Sequence, residues 1–131
     1  MTPSDDDLGD TALVTPAPGS GLTVTTRVTG TGAAVCALVG DLDVETLAPA
    51  AATLTELVAR RPPTLVIDLR GVAFCDSSGL NLLLKTRIAA EQEGTELRLA
   101  AVAPTVMRVL ELTGAHVVFA LRESVEAALA G

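Results

Sequence analysis

Residues 64–69, TLVIDL, are apolar and β-branched without alternation, and a few residues later the chain enters the leucine-rich stretch LNLLLKTRIAA. A strand that is apolar on both faces must be covered on both faces, which happens where helices pack against a parallel sheet. Parallel neighbours need crossover connections, and the flanking sequence supplies them.

LTVTTRVTG places Leu22, Val24, Thr26 and Val28 on one face, the period of a half-buried strand. TGTG then turns it into AAVCALVGDLD as an antiparallel hairpin. From about Thr46 to Arg60, Leu47, Ala50, Ala51, Leu54, Leu57 and Val58 recur at helical spacing, with Pro49 in the first turn and RPP as the stop. The leucine-rich helix is expected to reach about Gln92 with Leu80, Leu83, Leu84 and Ile88 inward. ELRLAAV reads as a strand, PTVMRVLELTG as a helix opened by Pro104 and closed by Gly114, HVVFAL as a last strand and SVEAALA as a terminal helix. The order β-β-α-β-α-β-α-β-α defines an α/β fold on a mixed sheet.

At 131 residues the chain holds one domain. Residues 1–20 contain Asp5, Asp6, Asp7 and Asp10, no Lys or Arg, and several Pro and Gly, and are expected to form an acidic disordered tail. The domain then spans 21–131. No apolar run approaches the roughly 20 residues that span a bilayer, and the start is acidic where a secretory signal is basic, so a cytoplasmic protein without membrane contact is expected. Cys36 and Cys75 form no CxxC and read as reduced core residues. A net charge of −7 with nine scattered basic residues disfavours nucleic acid as a partner.

Between the buried strand and the leucine helix lies FCDSSGL. In α/β sheets functional groups gather at the carboxyl ends of parallel strands, where this segment falls. Asp76 or Ser77 caps the helix, but one cap meets that need, and a glycine in the first turn costs about 1 kcal/mol relative to alanine. Two serines beside Gly79 read as hydroxyls with bulk cleared for a visitor.

A serine hydrolase is the enzyme rival and fits poorly. Cys75 stands where GxSxG needs its first glycine, no Asp follows Ser77, and His116, the only histidine, would have to be the base with a residue such as Glu111 behind it. There is no GxxxxGK[ST], and Lys85 is the only lysine. Asp41 and Asp43 alone make no metal site and read as a turn and helix cap. No cofactor or metal is expected.

GDLD at 40–43, LVIDLRGVAFCDSSGLNLLL and APTVMRVLELTG together resemble the STAS-domain anti-sigma factor antagonists, over roughly 22–131. The resemblance implies a sheet of four to five strands with about four helices packed mainly on one side. It implies that an anti-sigma factor serine kinase phosphorylates Ser77, that the unphosphorylated protein binds this kinase and frees a sigma factor, and that a PP2C-type phosphatase reverses the modification. ATP and Mg²⁺ would belong to the kinase. Asp43 matches the second acid of the family's GELD segment near the acceptor; Asp41 replaces its glutamate, and Asn81 departs from the glycine common after SSGL. Partner contacts are expected from Asp43, Asp76, Ser77, Ser78, Gly79, Asn81 and Leu82. Leu82 lies off the inward stripe, either exposed or covered by a neighbouring helix. A STAS-like scaffold whose binding is independent of Ser77 modification is the alternative.

Overall fold

The apolar run 64–69 lies inside the sheet with strands on both sides of it, as its two apolar faces require. The computed structural model describes residues 13–16 and 21–130. Along the chain these form β1 Leu13–Pro16, β2 Leu22–Val28, β3 Ala34–Leu42, α1 Leu47–Ala59, β4 Thr64–Cys75, α2 Ser77–Gln92, β5 Glu96–Ala100, α3 Pro104–Thr113, a 3-10 turn Ala115–Val117, β6 Ala120–Arg122 and α4 Val125–Ala130. The strands form one sheet in the order β1-β2-β3-β4-β5-β6. Pairings β1/β2 and β2/β3 are antiparallel, and those from β3 to β6 are parallel.

Alternation along β4 sends its residues to two different cores. Leu65, Ile67 and Leu69 join Leu54 and Leu57 of α1, Leu83 of α2, and Val106 and Leu110 of α3. Val66 points the other way, to Val35, Ala100 and Ala128 of α4. Three helices thus cover one face and one short helix covers part of the other. Fully burying each large aliphatic side chain contributes about 1.5–3 kcal/mol, so this aromatic-poor core rests on many leucines.

Three expectations are corrected. Residues 1–20 are not wholly tail: Leu13–Pro16 pairs with Thr23–Thr26 and adds a sixth, edge strand to the four or five expected. The remainder of that stretch lies outside the described residues. HVVFAL is not one strand, since Ala115–Val117 makes a 3-10 turn and only Ala120–Arg122 pairs with β5. The inward face of α2 is rotated, because the helix packs on α1 as well as on the sheet. Its buried stripe is Gly79, Leu80, Leu82, Leu83, Thr86 and Ala90, while Ile88 is 52% exposed.

Both cysteines are buried and unpaired in a disulfide. Burial pushes the Cys36 thiol up to about 12, and burial together with the Asp76 charge pushes Cys75 up to about 11. The folded state therefore holds these protons where the unfolded chain releases them. The resulting stabilisation is complete below about pH 9 and is lost as pH rises through 11 to 12. Native protein at pH 8 is expected to resist iodoacetamide at both thiols, and its denaturation midpoint is expected to fall between pH 9 and 11. Rapid native alkylation of Cys75 would contradict this.

Candidate functional site

β4 runs past the end of β5 and stays paired with β3 to its last residue, so Leu42 lies opposite Cys75. Each strand then ends on an aspartate, Asp43 and Asp76, at the carboxyl edge of the sheet. The Asp76 amide donates to the Leu42 carbonyl at 3.3 Å, joining the two ends. Asp76, with extended backbone, is the N-cap of α2: its Oδ1 accepts from the Ser78 amide at 2.9 Å and the Gly79 amide at 3.2 Å. Its carbonyl accepts the Leu80 amide, starting the helical ladder.

Asp43 organises the turn that leads into α1, whose N-cap is Thr46. Its Oδ1 accepts from the amides of Glu45 and Thr46 and from Thr46 Oγ1, and the Thr46 hydroxyl also reaches the Asp41 carbonyl at 2.7 Å. The turn half of the turn-and-cap reading holds for this acid and the cap half does not, since Thr46 is the N-cap; the Asp43 carboxylate is largely occupied by its own turn.

Ser77 is the first residue of α2 and is exposed, and its hydroxyl has no hydrogen-bond partner among the described residues. Ser78 is half-buried and Asn81 exposed. A visiting group can reach all three. The other two expected contact residues are buried. Leu82 is only 9% exposed, covered by α1 as one of the two readings anticipated. Gly79 is buried, and the space beside it is filled by the chain itself: a Cβ there would stand 2.6 Å from the Leu42 carbonyl oxygen and 2.9 Å from Cys75 Sγ. The glycine lets α2 press against the end of β3; it does not clear a path for a partner.

Lys85, which the sequence places off the inward stripe with Asn81 and Leu82, lines a groove between α1 and α2 beside Ser78 and Asn81 that sequence reasoning did not foresee. Its i, i+4 spacing from Asn81 was the available signal. Arg87, the other cation of the helix, is tied to Glu91 at 3.2 Å, whereas Lys85 has no acid partner among the described residues.

Among the described residues no group of three or more His, Cys, Asp and Glu side chains could hold a metal ion, and no helix is long and apolar enough to cross a membrane. His116 Nδ1 lies 3.4 Å from the Leu110 carbonyl in its own turn, and neither Ser77 nor Glu111 hydrogen-bonds to it among those residues.

An aspartate cap and a close-packed glycine thus hold an exposed serine hydroxyl at the start of a helix on the carboxyl edge of a mixed sheet. Residues 24–128 match the STAS domain family, and the chain belongs to it. It is 35% identical over 102 residues to the anti-sigma-F factor antagonist RsfB of Mycobacterium tuberculosis, covering 76% of this chain and 81% of that protein. The fold is similar to the crystal structure of an anti-sigma factor antagonist from Mycobacterium paratuberculosis, with a TM-score of 0.68, 30% identity and 92% of each chain covered. It is also similar to the anti-sigma factor antagonist SpoIIAA in its unphosphorylated form, with a TM-score of 0.70 over 81% of this chain and 92% of that one; at 21% identity this likeness concerns the fold alone.

Proposed function

We propose that the chain is a cytoplasmic anti-sigma factor antagonist: unphosphorylated, it binds an anti-sigma factor with serine kinase activity and so releases a sigma factor, and phosphorylation of Ser77 ends that binding. A PP2C-type phosphatase acting on the phosphoserine resets the switch. The chain contributes the acceptor hydroxyl; ATP, Mg²⁺ and the catalytic groups come from the kinase.

The observation that carries this reading is the exposed Ser77 hydroxyl, without a hydrogen-bond partner among the described residues, on the first residue of α2. Membership of the STAS family and similarity to an anti-sigma-F factor antagonist support the binding half of the reading. The local amides refine the electrostatics. A helix N-terminus generally welcomes a phosphate through its free N–H groups, but here Asp76 already takes the amides of Ser78 and Gly79. A phosphate on Ser77 would therefore share the turn with a carboxylate and present its charge outward. Facing an acidic partner group about 5 Å away, a dianion costs on the order of 3 to 7 kcal/mol at an effective dielectric of roughly 40 to 20.

Anti-sigma factors from the organism that carries this chain, purified singly and incubated with it and ATP, provide the test by intact mass. One of them is expected to add a single phosphate to the wild type and none to Ser77→Ala. A wild type that binds an anti-sigma factor yet takes up no phosphate would replace this reading with the scaffold, whose association does not depend on modification.

A further inference from the structure

Two cavities open along the seam between α1 and α2, of about 280 and 240 Å³, and they share Ala51, Leu82 and Lys85. The first also reaches Leu47, Ser78 and Asn81, so the groove begins one residue from the phosphoacceptor. Ser78, Asn81 and Lys85 are spaced i, i+3, i+7 along one stripe of α2, which extends about 10 Å along the helix axis.

No carboxylate lines either cavity, and Lys85 is the one charged lining residue. Lys85 is exposed and makes no ion pair among the described residues. In a chain of net charge −7, this groove combines an apolar floor with an unpaired cation. Such a lining complements a segment of opposite polarity: an apolar side chain flanked by an acid.

We propose that the α1–α2 groove receives a segment of the anti-sigma factor kinase carrying an apolar side chain beside a carboxylate. The apolar group seats over Ala51 and Leu82, and the carboxylate pairs with the Lys85 ammonium. This rests on the function proposed above. Because the groove adjoins Ser78, a kinase engaged at Ser77 covers it.

The test measures affinity by calorimetry between the unphosphorylated full chain and the anti-sigma factor that phosphorylates Ser77. Lys85→Glu is expected to weaken binding about tenfold or more, with a smaller loss at high salt. Ala51→Leu, which fills the floor, is expected to weaken it about tenfold, with the thermal midpoint of both variants near the wild-type value. Arg108→Glu, an equal charge change on an exposed residue of α3, is the control and is expected to leave affinity unchanged.

Affinities within twofold of wild type for both groove variants, or an equal loss in Arg108→Glu, would overturn the proposal while leaving the Ser77 switch intact. The joint substitution of Asp5, Asp6 and Asp7 by Asn is expected to leave affinity unchanged; a tenfold gain would assign the groove to the chain's own N-terminal segment, and concentration-dependent sedimentation abolished by Ala51→Leu would assign it to a second copy. Either result overturns the proposal. A wild type that neither binds nor is phosphorylated by any anti-sigma factor of the organism brings down the proposed function itself.

Discussion

The Ser77-phosphorylated chain is expected to bind its anti-sigma factor kinase at least a hundredfold more weakly than the unmodified chain, with little change in its own thermal midpoint. The binding loss follows from charge. A phosphate carries nearly two negative charges, and a repulsion of about 3 kcal/mol already changes an equilibrium by more than a hundredfold. Ser77→Asp carries a single charge and is expected to reproduce half of the roughly 3 to 7 kcal/mol repulsion, a loss of about 10- to 400-fold. The stability half of the expectation follows from position. Ser77 is exposed and its hydroxyl holds nothing in place among the described residues, so modification breaks no internal contact. The helix dipole favours a negative charge there by up to about 1 kcal/mol, and the neighbouring Asp76 carboxylate opposes it. Affinity measured by calorimetry and midpoint by differential scanning give the two numbers. If Ser77→Asp bound as tightly as wild type, or if it melted the domain, the interface-only switch would be abandoned.

Gly79→Ala is expected to destabilise the domain by about 2 to 3 kcal/mol, although alanine is the better helix former by about 1 kcal/mol. The added methyl would stand 2.6 Å from a backbone carbonyl at Leu42 and 2.9 Å from both Leu42 Cγ and Cys75 Sγ. Backbone at the end of a paired strand cannot step aside cheaply, so α2 must lift from β3. Lifting stretches the Asp76 amide bond to Leu42 as well. A midpoint lowered on the order of 10 °C is the expected reading for a domain of this size. A midpoint that rises would show that the helix moves freely there. With folding restored by lower temperature, the variant should also present Ser77 poorly, since the cap and the close approach set the position of that residue together.

The alternation of strands and helices was legible because each element carries its own hydrophobic period, and the cap at Asp76 was legible because one aspartate before a leucine run has few other uses. What the sequence concealed are places where one segment answers to two neighbours. Helical spacing alone gave Leu80, Leu83, Leu84 and Ile88 as the inner stripe, yet α2 leans on α1 as well as on the sheet, which draws Leu82 and Thr86 inward and leaves Ile88 outside. Gly79 looked like room for a visitor because its true neighbour, the Leu42 carbonyl, lies 37 positions earlier in the sequence. The strand Leu13–Pro16 gave no periodic signal in four residues flanked by Pro and Gly, since an edge strand needs only backbone pairing on one side. His116–Phe119 is apolar enough for a strand, but the left-handed Gly114 that closes α3 turns the chain straight into a 3-10 turn. At the site itself, the place of Ser77 at the start of α2 and the cap at Asp76 were readable, whereas the groove beside Lys85 was not, because its other wall is α1, some thirty positions away in the sequence.

The sheet order has a consequence for how the protein is made. Every strand lies beside the strand that precedes it in the chain, from β1 to β6. A nascent polypeptide leaving the ribosome can thus add each new strand to an edge already present, without waiting for a distant segment to be synthesised. Low sequence separation between paired segments also favours rapid folding for a mixed α/β domain, so newly translated copies should become competent to bind with little delay and little time spent with open strand edges.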